Sequence, residues 1–126
     1  MTIMEQQSGW TDFDTIEYQR PDLDVVSDAF RRCRLRLRLS MSAHACQDAL
    51  TELQTPLLSF LTMAAIARIR HDRKMSDPIW TAEAEFFDEA EAKVENWRQS
   101  TYHALLSSSY KDELAELTGE GIFQQA

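Results

Sequence analysis

The stretch Leu57–Lys74, LLSFLTMAAIARIRHDRK, decides how the chain folds. Leu57, Leu61, Ala64 and Ala65 recur at spacings of three and four, and Leu58, Phe60, Ile66 and Ile69 widen that stripe nearly all round. A helix that is apolar on most sides is a buried one, so this stretch is expected to be the central rod. Its last turn carries Arg68, Arg70, His71, Arg73 and Lys74, cations that suit the negative end of a helix dipole.

Around this rod the chain has few means of reversing tightly. Its glycines are Gly9, Gly119 and Gly121, its prolines Pro21, Pro56 and Pro78, and its one asparagine is Asn96. Sheets need hairpin turns that lean on glycine and asparagine. The expected fold is therefore all-α: three long helices plus a short C-terminal helix in an antiparallel bundle. Residues 1–20 are expected to be an arm, with Trp10, Phe13, Ile16 and Tyr18 as apolar anchors, and residues 21–126 a single helical domain.

Helix starts and stops follow from capping chemistry. Pro21 is expected to open the first helix, with Asp22 and Asp24 at the positive end of its dipole and a stripe of Leu23, Val26, Phe30, Cys33 and Leu37. Arg34–Leu39 alternates as a strand would, but the helical register runs straight through it and prevails. Ser40 or Ser42 can cap the second helix, whose stripe reads Cys46, Leu50, Leu53, Leu57, Leu61. Pro56 removes a backbone donor mid-helix, and a kink rather than a break is expected because the register continues past it. Asp77 as N-cap and Pro78 as first residue open a third helix reaching about Ser107, with a seam of Trp80, Ala84, Phe87, Val94, Trp97, Thr101 and Leu105. A short helix over Tyr110–Leu117 should stop at Gly119.

The charge balance narrows the partners. A net charge of −8 on 126 residues argues against nucleic acid or an anionic membrane as a bulk partner. Residues 31–76 hold nine cations against three anions, whereas 77–126 hold three against eleven. The acidic third helix, with Glu83, Glu85, Asp88, Glu89, Glu91 and Glu95, is thus expected to meet the arginines of the basic middle. The run Arg34–Leu39 reads as a charged helix flank, since no aromatics interleave it for RNA. Cys33 and Cys46 show no CxxC spacing and read as small buried thiols of a reducing cytoplasm. The N-terminus MTIMEQQSGW lacks the basic-then-apolar order of a signal peptide. The uncharged run Leu53–Ala67 is short and polar for a membrane span.

No complete active site is legible. His44, His71 and His103 form no HExxH, and no glutamate stands three residues before any of them, so the helical zinc and di-iron signatures are both absent. His71-Asp72 could begin a metal-binding pair but has no matching distant ligands and reads as a solvated helix end. Glycine loops for phosphate and spacings for a nucleophile–base pair are absent too. No catalytic, cofactor-binding or metal-binding residue is assigned.

Four segments nonetheless form a pattern: Tyr18-Gln19-Arg20-Pro21-Asp22-Leu23, Thr62–His71 (TMAAIARIRH), Ala82–Glu89 (AEAEFFDE), and YHALLSSSYKDELAE from Tyr102. In order and spacing they resemble the N-terminal helical region of oligoendopeptidase F-like zinc metallopeptidases, over about residues 12–126. Those enzymes cut short peptides in a deep channel with zinc held by HExxH and a downstream glutamate. The resemblance implies none of those residues here, only a scaffold forming a wall or lid of the channel. The chain departs from the family at Ala90–Lys93, where relatives carry a proline, and at Pro56.

The leading expectation is a non-catalytic N-terminal module of such a peptidase, whose missing catalytic region would be its partner. The alternative is a stand-alone helical module for protein interaction or self-association. A small metal-binding enzyme is disfavoured by the missing ligands. Trp80, Phe86, Phe87, Trp97, Ile122 and Phe123 exceed what three helices are expected to hide, so self-association through the aromatic side of the third helix is expected.

Overall fold

The computed structural model describes residues 16–118. They form α1 (Leu23–Leu39), α2 (Ala43–Arg73), α3 (Pro78–Leu106) and α4 (Lys111–Thr118). Contacts at the ends fix the topology. Arg36 pairs with Glu52 and the Gln19 amide points at Met63, so α1 and α2 run antiparallel. Arg68 meets Asp88 while Cys46 lies 3.8 Å from Ser108, so α2 and α3 do likewise. The result is the all-α antiparallel bundle read from the sequence, with α4 folded onto α2.

Caps account for most boundaries. Ser42 accepts from the Ala45 amide at 3.1 Å and starts α2; Asp77 accepts from Ile79 at 2.9 Å and starts α3, with Pro78 inside its first turn. The short helix α4 is shifted by one residue from the expected Tyr110–Leu117, and the start of α1 differs more. Pro21 stays outside α1, because the Asp22 carboxylate takes the cap by accepting from the Asp24 amide at 2.9 Å. The alternating run 34–39 is helical: Cys33 and Leu37 face the core while Leu35 and Leu39 face solvent. Helix α2 continues across Pro56. Gly119, Trp10, Phe13, Ile122 and Phe123 lie outside the described residues.

The core joins the stripes of α1, α2 and α3. Phe30, Phe60 and Phe87 are the largest side chains excluded from solvent, with Phe60 and Phe87 packed edge to face at 5.5 Å and Phe30 against Trp97 at 6.1 Å. Cys33 and Cys46 are buried free thiols in this core, and burial pushes the Cys33 thiol up to about 11.

The central stretch requires a correction. Helix α2 is not buried on most sides: its inward seam is Cys46, Leu50, Leu53, Leu57, Phe60, Ala64, Ala67, alternating steps of four and three. After the four-residue step from Leu53 to Leu57 the next step is three, which turns Phe60 inward at 1% exposure. Leu61 faces outward at 47% and Leu58 at 60%. By length and composition α2 could cross a membrane, and 28% of its most apolar window is buried in the bundle.

The aromatic overflow expected on α3 is also corrected. Phe87 is fully buried, and Trp80, Phe86 and Trp97 pack on the core as partly covered side chains. The extended segment before α1 covers Trp80 and Phe86, and Trp97 packs on Phe30 of α1.

Candidate functional site

The best-organised polar cluster sits where the N-terminal segment crosses the start of α3 and the end of α2. Leading into α1, residues 17–22 are non-helical. The Pro21 ring fixes its own φ and disfavours α geometry at Arg20, keeping this approach extended. Extension carries Tyr18 and Arg20 to the first turns of α3. There the Tyr18 hydroxyl donates to Glu83 Oε1 at 2.5 Å, and Arg20 donates to both carboxylate oxygens at 3.0 and 2.6 Å.

Apolar contacts complete the clamp. The Tyr18 ring meets Trp80 edge-on at 5.2 Å, and the Arg20 guanidinium lies 4.6 Å from the Phe86 centroid. Arg70, from the end of α2, lies over the Trp80 ring at 5.1 Å and donates to the Ile16 carbonyl at 2.5 Å. The Gln19 amide reaches Met63 Sδ at 3.4 Å. Three segments far apart in sequence, Tyr18–Leu23, Thr62–His71 and Ala82–Glu89, therefore converge at one end of the bundle.

The electrostatics of the clamp are those of a fastener. The Arg20 fork holds the Glu83 carboxyl below the usual carboxylate range, with the Tyr18 bond adding to that effect. Burial, together with the Glu83 bond, pushes the Tyr18 hydroxyl well above its ordinary value. Glu83 is thus kept ionised with both oxygens engaged, and it is not poised to take a proton at neutral pH.

The remaining charges follow the expected pairing in part. Arg68 of α2 bridges to Asp88 at 2.9 Å and to Glu91, so the acidic helix does meet the basic middle. Among the described residues, the arginines of α1 do not reach the acidic helix: Arg31 and Arg32 pair with Asp28 of their own helix, Arg36 with Glu52 of α2, and Arg34 tucks Nη1 into the protein. Glu95 is held by Arg98 and Gln99 of its own helix, which lowers its carboxyl to about 2. Glu85 and Glu89 face solvent.

The histidines do not assemble. His44 and His103 are exposed near one end of the bundle, and His71 is half-buried at the other. Among the described residues no three His, Cys, Asp or Glu side chains stand close enough to hold a metal ion. The residues present do not fit the zinc that the family resemblance brings to mind. A cleft of about 420 Å³ at the far end, lined by Arg38, Ser40, Ser100, His103, Ser108 and Tyr110 among others, contains hydroxyls, one imidazole and one guanidinium. Ser108 is already engaged there, accepting from the Tyr110 amide at 3.1 Å.

Sequence reading grouped Glu83 with the solvated acidic face and missed its role. The signal was present in the pairing of Arg20 with Glu83, since both lie in the segments that carried the resemblance. Periodicity carries no information about contacts 63 residues apart.

Comparison with known proteins gives the clamp its context. The family described as Peptidase M3 N-terminal domain matches residues 13–126. The chain belongs to that family. Two solved structures superpose on this M3 N-terminal domain closely. One is Pz peptidase A with an inhibitor, at 29% identity and TM-score 0.84, and another is described as an oligoendopeptidase F, at 30% and 0.83. Each match covers 88% of this chain and 20% of the other, so the domain spans about a fifth of those peptidase chains. Among curated proteins no match was found.

Proposed function

We propose that this domain is a non-catalytic helical scaffold of an oligoendopeptidase-type zinc peptidase, forming part of the wall that limits access to a peptide-cleaving channel. The observation that carries the reading is the superposition of nearly the whole bundle on one fifth of two peptidase chains. The sequence contains no HExxH, so the chemistry belongs to a region that these 126 residues do not include. Rigidity is what a wall requires, and the Tyr18–Arg20–Glu83 clamp locks the chain's entry onto α3. A cytoplasmic setting fits the two free thiols in the core.

The purified 126-residue chain tests the assignment of chemistry. It is expected to retain no stoichiometric zinc after dialysis and to leave a quenched peptide substrate intact. Chelator-sensitive cleavage by the isolated chain would overturn the reading.

A further inference from the structure

Helix α2 carries a second seam, turned away from the bundle. Thr51, Thr55, Leu58, Thr62, Ala65 and Ile69 follow steps of four and three over five turns, and all but the half-buried Ile69 are exposed. Leu61 flanks the seam at 47% exposure. No charged residue occurs from Leu53 to Ala67, in a chain that is 27% charged. The outer faces of α1 and α3 carry charge instead: Arg31, Arg32 and Arg38 beside the exposed Val25, Leu35 and Leu39 on α1, and Glu85, Glu89 and Glu95 on α3. An uncharged solvent-facing stripe at this spacing is the surface a second helix packs on at a shallow crossing angle.

We propose that this outward seam of α2 is a docking site for a helix supplied by the rest of an M3 peptidase chain. The inference rests on the reading above and names the surface through which the scaffold is held. Two observations select that occupant. The peptidase chains that superpose on this domain are more than four times its length, so a large tethered neighbour accompanies the bundle in them. The seam is also too small for a free dimer. From Thr51 to Ile69 the seam rises about 27 Å and a helix is about 10 Å wide, giving a strip of about 270 Å². A stable interface between separate chains takes about 800 Å² per partner. A strip of this size holds a partner that is covalently linked and therefore present at high effective concentration. Lack of charge on the strip points to an aliphatic helix face as the complementary surface.

Thiol labelling tests this. Leu58→Cys and Ala65→Cys place reporters on the seam, and Glu89→Cys is a control on the exposed acidic face of α3. Each is made in the 126-residue chain and in a chimera in which residues 13–126 replace the matched stretch of oligoendopeptidase F. In the isolated chain all three should label rapidly at micromolar concentration. In the chimera the two seam thiols should label at least tenfold more slowly while the control is unchanged. Seam thiols that stay equally reactive in a chimera that cleaves peptide would overturn the seam and leave the scaffold reading standing. Slowed labelling in a chimera that cannot cleave would support the seam and remove the scaffold reading. Protection already present in the isolated chain would overturn the proposal: if concentration-dependent it assigns the seam to a second copy, if only with phosphatidylcholine vesicles to a lipid surface, and if neither to the chain's own termini.

Discussion

Removing the Glu83 carboxylate should free the N-terminal segment without unfolding the bundle. Glu83→Ala deletes the acceptor of three hydrogen bonds, one from the Tyr18 hydroxyl and two from Arg20. The partly buried Tyr18 hydroxyl loses its acceptor, a loss of about 1–3 kcal/mol. The Arg20 side chain is 48% exposed and rehydrates, so its share is about 0–1 kcal/mol. A total of about 2 kcal/mol raises the detached population roughly thirty-fold. Chymotrypsin cutting after Tyr18 under native conditions reads that population when opening and closing outpace cleavage. Cleavage should accelerate about thirty-fold in Glu83→Ala and not at all in Glu85→Ala, which alters a solvent-facing neighbour. The pH dependence follows from sign. Glu83 titrates lower in the folded chain than its ordinary 4.5, so its contribution is complete above that pH and is lost as pH falls through the lower folded value. The stability gap between wild type and Glu83→Ala should be constant from pH 6 to 8 and close below pH 4.5. Unchanged cleavage after Tyr18 in Glu83→Ala would refute the clamp.

Three further outcomes test the packing. Phe87→Ala, which empties the site between Phe60 and Phe86, should cost about 3–5 kcal/mol in urea unfolding. Pro56→Ala should stabilise the chain by about 1–3 kcal/mol, because α2 is continuous there and alanine restores the amide donor toward the Glu52 carbonyl. The Cys33 thiol, buried and pushed up to about 11, should react with a thiol reagent at pH 8 only as fast as the protein opens, and Cys33→Ser should cost on the order of 1 kcal/mol.

What the sequence disclosed, and what it hid, has a physical pattern. Local chemistry was legible: Ser42 and Asp77-Pro78 mark helix starts because a cap acts within three residues of its own position. The α1 stripe was legible for the same reason, as its neighbours are mostly polar, Val25 and Leu35 aside. Within α2 the stretch around Leu57 offers apolar residues at both the three and four step, so periodicity alone favoured Leu61 where packing selects Phe60. Trp80 and Phe86 of α3 looked uncovered because their cover comes from Tyr18, Arg20 and Arg70, residues a one-dimensional pattern does not bring near them. The same distance hid the clamp. Its residues stood in the segments that resembled the peptidase family, yet only the fold joins Arg20 to Glu83.

The central claim is that these helices serve peptide cleavage as structure and supply none of its chemistry. The most direct measurement is the zinc-dependent hydrolysis of a quenched peptide by the chimera carrying residues 13–126 in oligoendopeptidase F, beside unmodified oligoendopeptidase F. The account predicts that the chimera folds and cleaves with kcat within about tenfold of the parent, any larger change falling on which peptide lengths are accepted. A folded chimera that binds zinc but cleaves no peptide of any length would contradict it.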